Sequence, residues 1–447
     1  MYPKSMTLPS YFSSATNIST DAEETLPPLG ILYIISNSKY NIDFIDNRIK
    51  QYKFDQLLDI LTVYDVVGFG GTIFEIKEAR KLSYELMKKG IVTIYGGPNA
   101  TANWNLYVNC FNIIFRGEGE VAFDQIIENI NSLEKIGLHQ IERTYFNEEI
   151  YRNKNLNSLA FPDRSKINLD DYKRTEKSYL KEVFPVDTVV SSRGCPFNCY
   201  FCSSNLIWSK KYSYRSVDSV ISEIKFMIKN YATRGVYFRE DNFTINRNRV
   251  VEFCKKVQKL NIKWLCESRV DTIDEDLIKI MSKSGCKGIW FGIESTDNKV
   301  LKKIGKGITN EQIKSTIDLC EDNNIRTGGG FMLGFPFDDK ESILRNYRES
   351  KKLNLSVRFY NRVWAIPISK MYYDIIDKNL DYYCFENIIL PSTEYMTADE
   401  VNRLYFKLIS KKFILDKKIA LILGKRRIEF IRNKFPKTVN IYRKLLS

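Results

Sequence analysis

Short apolar runs alternate with helix-spaced apolar positions through the first third of the chain. "DVVGFGGT" (65–72), "IVTIYGGPNA" (91–100) and "FNIIFRGEGE" (111–120) read as buried strands running into glycine turns, and "NIDFIDN" (41–47) as a shorter strand. Between them, "FDQLLDILTVY", "EIKEARKLSYELMKKG" and "VAFDQIIENI" have helical periodicity, and Gly90 suits a helix C-cap. Continuous apolar strands separated by helices predict a parallel, doubly wound sheet, which binds ligands beyond the carboxyl ends of its strands. Gly70, Gly71, Gly96 and Gly97 fall at those ends.

From residue 131 the chain turns polar, passes Pro162 and "DRSKINLDDY", and reads as an irregular linker. A second alternating series follows. Strands are expected at "DTVVSS" (187–192), "GVYFRE" (235–240), "KWLCESRV" (263–270), "GIWFGIE" (288–294), "TGGGFML" (327–333) and "RVWAIP" (362–367). Helical segments such as "SVDSVISEIKFMIKNY" and "NEQIKSTIDLCEDNN" separate them. This series predicts a partial TIM-like (β/α)6 barrel, with its active site at the carboxyl ends of the strands. The expected α/β organisation is an N-terminal doubly wound Rossmann-like domain (1–135), a linker (136–180), the barrel (181–400) and a basic helical C-terminal extension (401–447).

With 447 residues, 44% of them hydrophobic, the chain can bury the cores of two or three domains. No apolar run is long enough for a transmembrane span, and the first residues lack a signal-peptide core, so a cytoplasmic protein is expected. The formal charge of +14 admits a nucleic-acid surface, but the lysines are spread along the chain and no RRM, KH or zinc-finger pattern is present. No nucleic-acid partner is expected. The basic tail from Lys411 reads as the solvated face of a packed helix or as a contact for an acidic substrate or membrane surface. One histidine, His139, leaves no room for multi-histidine metal sites.

Nine cysteines are present, and an odd count without a regular framework argues against a disulfide scaffold. Cys110, Cys254, Cys266, Cys286, Cys320 and Cys384 are scattered among apolar residues and read as small buried hydrophobes. Cys195, Cys199 and Cys202 instead cluster in "RGCPFNCYFCSS" (193–204). Structural zinc takes four ligands in two pairs, and no second CxxC exists. Zinc and incidental core cysteines remain alternatives. Thiolates at such spacings hold Fe–S clusters. Three cysteines would leave one iron of a 4Fe–4S cluster open to a small molecule.

CxxxCxxC after the first barrel strand, with Tyr200 and Phe201 just before the last cysteine, resembles the radical SAM superfamily. In that superfamily the open iron is chelated by S-adenosylmethionine (SAM), and one-electron reduction yields a 5′-deoxyadenosyl radical. The resemblance implies SAM contacts at Tyr200 and Phe201, and at Glu240, Asp241 and Asn242 of "FREDNFT". That stretch stands where the family has a GGE-like motif for the SAM amino group, and is similar to a "DDxFT" variant. It further implies Ser268 and Arg269 of "ESRVD" at the SAM carboxylate and Glu294 of "GIES" at the ribose or methionine part. Gly334 and Pro336 of "GFMLGFP" would lie on the adenine side. For Arg269 and Glu294 a buried ion pair is the alternative.

"PPLGILYIIS", "DVVGFGGT", "VTIYGGPNATA" and "RGEGEVAF" resemble the cobalamin (vitamin B12)-binding domain that precedes many such barrels. The implied cobalamin contacts are Gly70, Gly71, Thr72, Gly96, Gly97, Gly117 and Glu118. The DxHxxG motif that supplies an axial histidine is absent, so cobalamin would bind without one. The polar "MTLPSYFSSATNIST" stands where the family has an apolar first strand, which makes that strand degenerate. A structural remnant that binds no cobalamin is the alternative.

The resemblance thus implies a cobalamin-dependent radical SAM enzyme. Its expected activity is C-methylation of an unactivated carbon in a natural-product, lipid or peptide substrate, with a flavodoxin- or ferredoxin-type electron donor. In that mechanism cob(I)alamin takes a methyl group from one SAM, and a second SAM yields the radical that activates the substrate. A radical SAM cyclase or other oxidative rearrangement enzyme is the first alternative, and a non-catalytic metal-binding protein the second. Methylthiotransferases carry three more cysteines in the first domain, where only Cys110 stands.

Overall fold

The computed structural model describes residues 25–71, 75–174, 184–380, 382–385 and 388–409. Thr72, the segment of the degenerate first strand, the side chain of Cys384 and the basic tail from residue 410 lie outside the described residues.

Pro28 precedes helix α1 (Leu29–Asn37), which buries Leu32 and Tyr33. Two more helices, α2 (Phe54–Leu61) and α3 (Ile76–Lys88), flank the first sheet, and Gly90 takes a left-handed φ of 79° just past α3, as its C-cap reading expects. Strands β1 (Val66–Gly70), β2 (Val92–Gly96) and β3 (Ile113–Ile114) pair in parallel. Tyr95 stacks on Phe111 at 4.7 Å beneath them.

"NIDFIDN" is not a strand. Asp46 accepts the Arg48 amide and Asn47 exchanges hydrogen bonds with Tyr52, so local side-chain bonds form a helical turn over Asn47–Lys50 instead. The polar stretch from residue 131 is also more regular than expected. It contains a hairpin, β4 (His139–Ile141) and β5 (Thr144–Phe146), and β5 adds parallel to β3, giving the order β1-β2-β3-β5-β4. Phe146 stacks on Trp104 at 4.2 Å, and Thr144 donates to the Phe111 carbonyl at 2.8 Å.

The second sheet begins with β6 (Val186–Val189), and a small ribbon of β7 (Ser192–Arg193) and β8 (Ser213–Tyr214) follows it. Then come β9 (Gly235–Phe238), β10 (Lys263–Ser268), β11 (Cys286–Glu294), β12 (Arg326–Leu333) and β13 (Val357–Arg362). All six principal strands are parallel, in the order β13-β12-β11-β10-β9-β6. This is the expected (β/α)6 partial barrel. Trp264, Ile289, Phe291 and Phe331 face the helices and are fully buried. Because side chains alternate, Glu267, Trp290, Gly330 and Phe359 share the opposite, half-buried face.

The last strand lies earlier than "RVWAIP" suggests. Arg358 and Arg362 bury their guanidinium groups against the carbonyls of Ser350 (2.9 Å) and Gly334 (3.0 Å), which lets a polar stretch form the edge strand. The apolar residues after it are irregular, apart from an Ala365–Ile389 bridge to the hairpin β14 (Tyr382–Phe385) and β15 (Ile388–Pro391). Cys254, Cys266, Cys286 and Cys320 are buried free thiols, as expected, and Cys110 is half-buried. No described helix is long and apolar enough to cross a membrane.

Candidate active site

The cysteine loop leaves the β6–β7 edge through Gly194, whose φ of 86° favours glycine. A Cβ there would lie 2.0 Å from the Lys211 carbonyl oxygen. Further along, Tyr200 donates its amide to Ile304 O (2.9 Å) and accepts from the Met371 amide (3.1 Å). The loop is thus pinned from both sides before the short helix Ser204–Ile207 begins.

Cys195, Cys199 and Cys202 are free and half-buried. Burial pushes the Cys195 thiol up and the Cys202 thiol up to about 12. A cationic partner is therefore needed to hold both as thiolates. The Arg269 guanidinium donates to Cys199 Sγ at 3.6 Å and lies 3.8 Å above the Phe197 ring. The free, half-buried thiols, with a cation beside one of them, fit a metal cluster. Among the described residues no group of three or more His, Cys, Asp or Glu side chains is arranged to hold a single metal ion.

The ends of β9 and β10 converge on this loop. Glu240 accepts from the Ser191 amide at 2.6 Å and from the Ser192 hydroxyl. Asp241 accepts from Ser204 Oγ at 2.8 Å, and loss of water around its carboxyl raises its pKa. Asn242 is fully buried; its Oδ1 takes hydrogen bonds from Ser268 and Thr272, while its Nδ2 has no partner. That orphan donor points to an acceptor supplied by a ligand. Arg269 is partly engaged by protein: Nε and Nη2 donate to the two Asp271 carboxylate oxygens at 2.9 and 2.7 Å, and Nη2 also donates to the Lys306 carbonyl.

Glu294 ends β11 with a strained φ of 66° beside a register shift, and pairs with buried Lys306 at 3.3 Å. Both ion-pair alternatives thus describe real contacts. Tyr200 and Phe201 turn towards the 334–337 loop, with ring centroids 6.3 Å from Phe337 and 6.0 Å from Phe335. Gly334 has φ 91°, and Pro336 O accepts the Glu394 amide.

The same loop buries Asp338, which accepts from the Phe335 amide and Ser342 Oγ. Burial raises its pKa from 3.8 to about 6. The folded chain therefore holds a proton that the unfolded chain releases first. Barrel stability is expected to fall by up to about 3 kcal/mol as pH rises from about 4 to about 6. Urea unfolding across that range should show a steeper fall in the wild type than in Asp338→Asn.

A cavity of about 930 Å³ lies where the two sheets meet. Gly70, Gly71, Gly96, Gly97, Gly117 and Glu118 line one side, and Arg239, Glu240, Asp241 and Glu267 the other. Apolar walls come from Ile31, Ile42, Phe44 and Phe69. The Gly97 turn (φ 103°) has no atom closer than 3.7 Å to where a Cβ would stand, so it leaves backbone open to a ligand. Glu118 is not open: it accepts from Arg193 Nη1 at 2.7 Å. The sequence reading missed Arg193, Glu120 and Arg152. The signal was there, since an arginine stands two residues before Cys195 and "RGEGE" places two acids on one loop.

A family model described as Radical SAM superfamily matches residues 189–349. An uncharacterised methyltransferase of Pyrococcus horikoshii is 27% identical over 425 residues, covering 91% of this chain and 88% of that one. An anaerobic magnesium-protoporphyrin IX monomethyl ester cyclase of Rubrivivax gelatinosus is 25% identical over 421 residues, covering 88% and 73%. Among solved structures, the radical SAM methyltransferase TsrM of Kitasatospora setae, with cobalamin and a [4Fe-4S] cluster bound, matches with a TM-score of 0.66 at 14% identity, over 85% of this chain and 82% of that one. That likeness is one of fold and takes in both sheets.

Proposed function

We propose that the chain is a cobalamin-dependent radical SAM C-methyltransferase acting on an unactivated carbon; the radical SAM family model over residues 189–349 and the similarity to a methyltransferase along most of the chain support this reading. The observation that carries this reading is the cavity of about 930 Å³ joining the glycine turns of the first sheet to the strand ends beside the cysteine loop. Methyl transfer to a carbon radical needs carrier and radical source in one enclosed space.

Cys195, Cys199 and Cys202 would hold a 4Fe–4S cluster, which with SAM supplies the adenosyl radical on one-electron reduction. Cobalamin supplies the methyl group. The chain's own residues bind, orient and exclude water. Arg269 places positive charge against Cys199 Sγ. The Asn242 Nδ2 donor is available to an acceptor on SAM, and the Glu240 and Asp241 carboxylates would receive its ammonium. The Gly70–Gly71 and Gly96–Gly97 turns would hold cobalamin, and the apolar cavity wall would exclude water from the reaction. The substrate would be a small molecule or peptide, and the electron a flavodoxin's or ferredoxin's.

The test is anaerobic reconstitution with iron, sulfide and hydroxocobalamin, followed by desalting, SAM and dithionite. Retained cobalamin with both 5′-deoxyadenosine and S-adenosylhomocysteine is the expected outcome. Deoxyadenosine alone, with no cobalamin retained, would remove the methyl-transfer reading and favour a cyclase-type reaction.

A further inference from the structure

Arg193 stands in β7, separated from Cys195 only by Gly194. Its Nη1 donates to Glu118 Oε1 and its Nη2 to Glu120 Oε1, each at 2.7 Å. One guanidinium thus holds two carboxylates of a single loop of the first domain. The three side chains are 10%, 2% and 6% exposed, so this is a buried cluster. The remaining oxygens are held as well: the Asn153 amide donates to Glu118 Oε2 at 2.6 Å, and Asn153 Nδ2 to Glu120 Oε2 at 2.9 Å. Arg152 pairs with Glu118 Oε2 at 3.6 Å. Two arginines and two glutamates balance in charge, and any sliding of one loop past the other would strip a buried charge of its partner.

Both loops are stiff where they enter the cluster. Gly117 (φ 111°) and Gly194 (φ 86°) each press backbone against backbone, with room for no Cβ. Both loops also line the inter-sheet cavity, one through Gly117–Glu120 and the other through Ser192 and Arg193.

We propose that Arg193 is a positioning residue: by clamping Glu118 and Glu120 it locks the glycine loop of the first domain to the root of the cysteine loop, and so sets the separation between cobalamin and the cluster. The proposal rests on the cobalamin reading above. Cobalamin methylation breaks the S–CH3 bond of SAM, leaves the electron pair on sulfur as S-adenosylhomocysteine, and forms a Co–C bond with the electron pair of cob(I)alamin. That in-line transfer depends steeply on the distance between the two sites. Reductive cleavage of SAM at the cluster does not.

The test compares wild type, Arg193→Gln and Arg193→Lys as full chains matched for iron and cobalamin content. S-adenosylhomocysteine formation is expected to fall about tenfold or more relative to deoxyadenosine formation in Arg193→Gln, with Arg193→Lys between. The magnetic interaction between cob(II)alamin and the reduced cluster in the EPR spectrum should weaken in step, a distance readout that lost stability alone does not move. In the cofactor-free chain, amide exchange should accelerate in residues 116–120 and 192–204 together. An Arg193→Gln protein with the wild-type ratio and spectrum overturns the proposal. If the wild type retains no cobalamin, the methyltransferase reading fails separately; the lock is then judged on exchange alone, and unchanged protection overturns it. Should Arg193→Gln not fold, Glu120→Gln, which removes one arm of the clamp, replaces it in every measurement.

Discussion

Cys199→Ala is expected to abolish deoxyadenosine formation, down to the level of a protein-free control, and to leave the reconstituted protein without its brown colour. Three half-buried thiols on one loop are all the ligands that the motif offers, and two thiolates would leave two irons of a four-iron cluster without protein. The effect should be the same for Cys195→Ala and Cys202→Ala. Cys110→Ser supplies the control, because this half-buried thiol packs against the core of the first sheet, away from the loop. Iron content, visible absorbance and deoxyadenosine yield decide the matter. A Cys199→Ala protein that keeps its iron and cleaves SAM would place the cluster on other ligands and sink the assignment.

The second large effect is expected from a residue that touches no cofactor. Gly194→Ala should cost about 1–2 kcal/mol for a left-handed conformation and about 1–3 kcal/mol more for overlap. Its Cβ would stand 2.0 Å from Lys211 O and 3.0 Å from the Trp208 side chain. The backbone must shift, and the shift enters the cysteine loop directly. Gly97→Ala separates the two causes. It has a similar φ of 103° but nothing nearer than 3.7 Å, so only the conformational strain applies. Urea midpoints should rank wild type, then Gly97→Ala, then Gly194→Ala, and only Gly194→Ala should reconstitute poorly with iron. Equal iron loading in all three would mean that the loop does not depend on the Gly194 turn.

What could be read from the sequence depended on how far each signal reached along the chain. The cysteines, the glycine turns and the strand ends are local features, and continuous apolar runs placed β1, β2 and β9–β12 correctly. The hairpin β4–β5 was not legible, because three-residue strands give almost no periodicity; Phe146 reveals itself only by stacking on Trp104. Nor was β13, whose arginines are buried by carbonyls that lie elsewhere in the chain. The Arg193 cluster joins residues more than seventy positions apart, and composition cannot say that those charges meet. At Arg269 the sequence named the residue but not its partner, since Asp271 takes two of its nitrogens.

The anchoring of the cysteine loop also bears on the birth of the protein. Its root is clamped by Glu118 and Glu120, which leave the ribosome before the cysteines do. Its far side hangs from Ile304 and Met371, which emerge long after them. A nascent chain that has just exposed Cys202 therefore offers iron a loop with half of its frame missing. Domains of long chains fold in the order in which they are made, and contacts distant in sequence form last. Cluster insertion would then wait until Met371 has emerged, and a chain truncated before that point would lack half of the loop's frame.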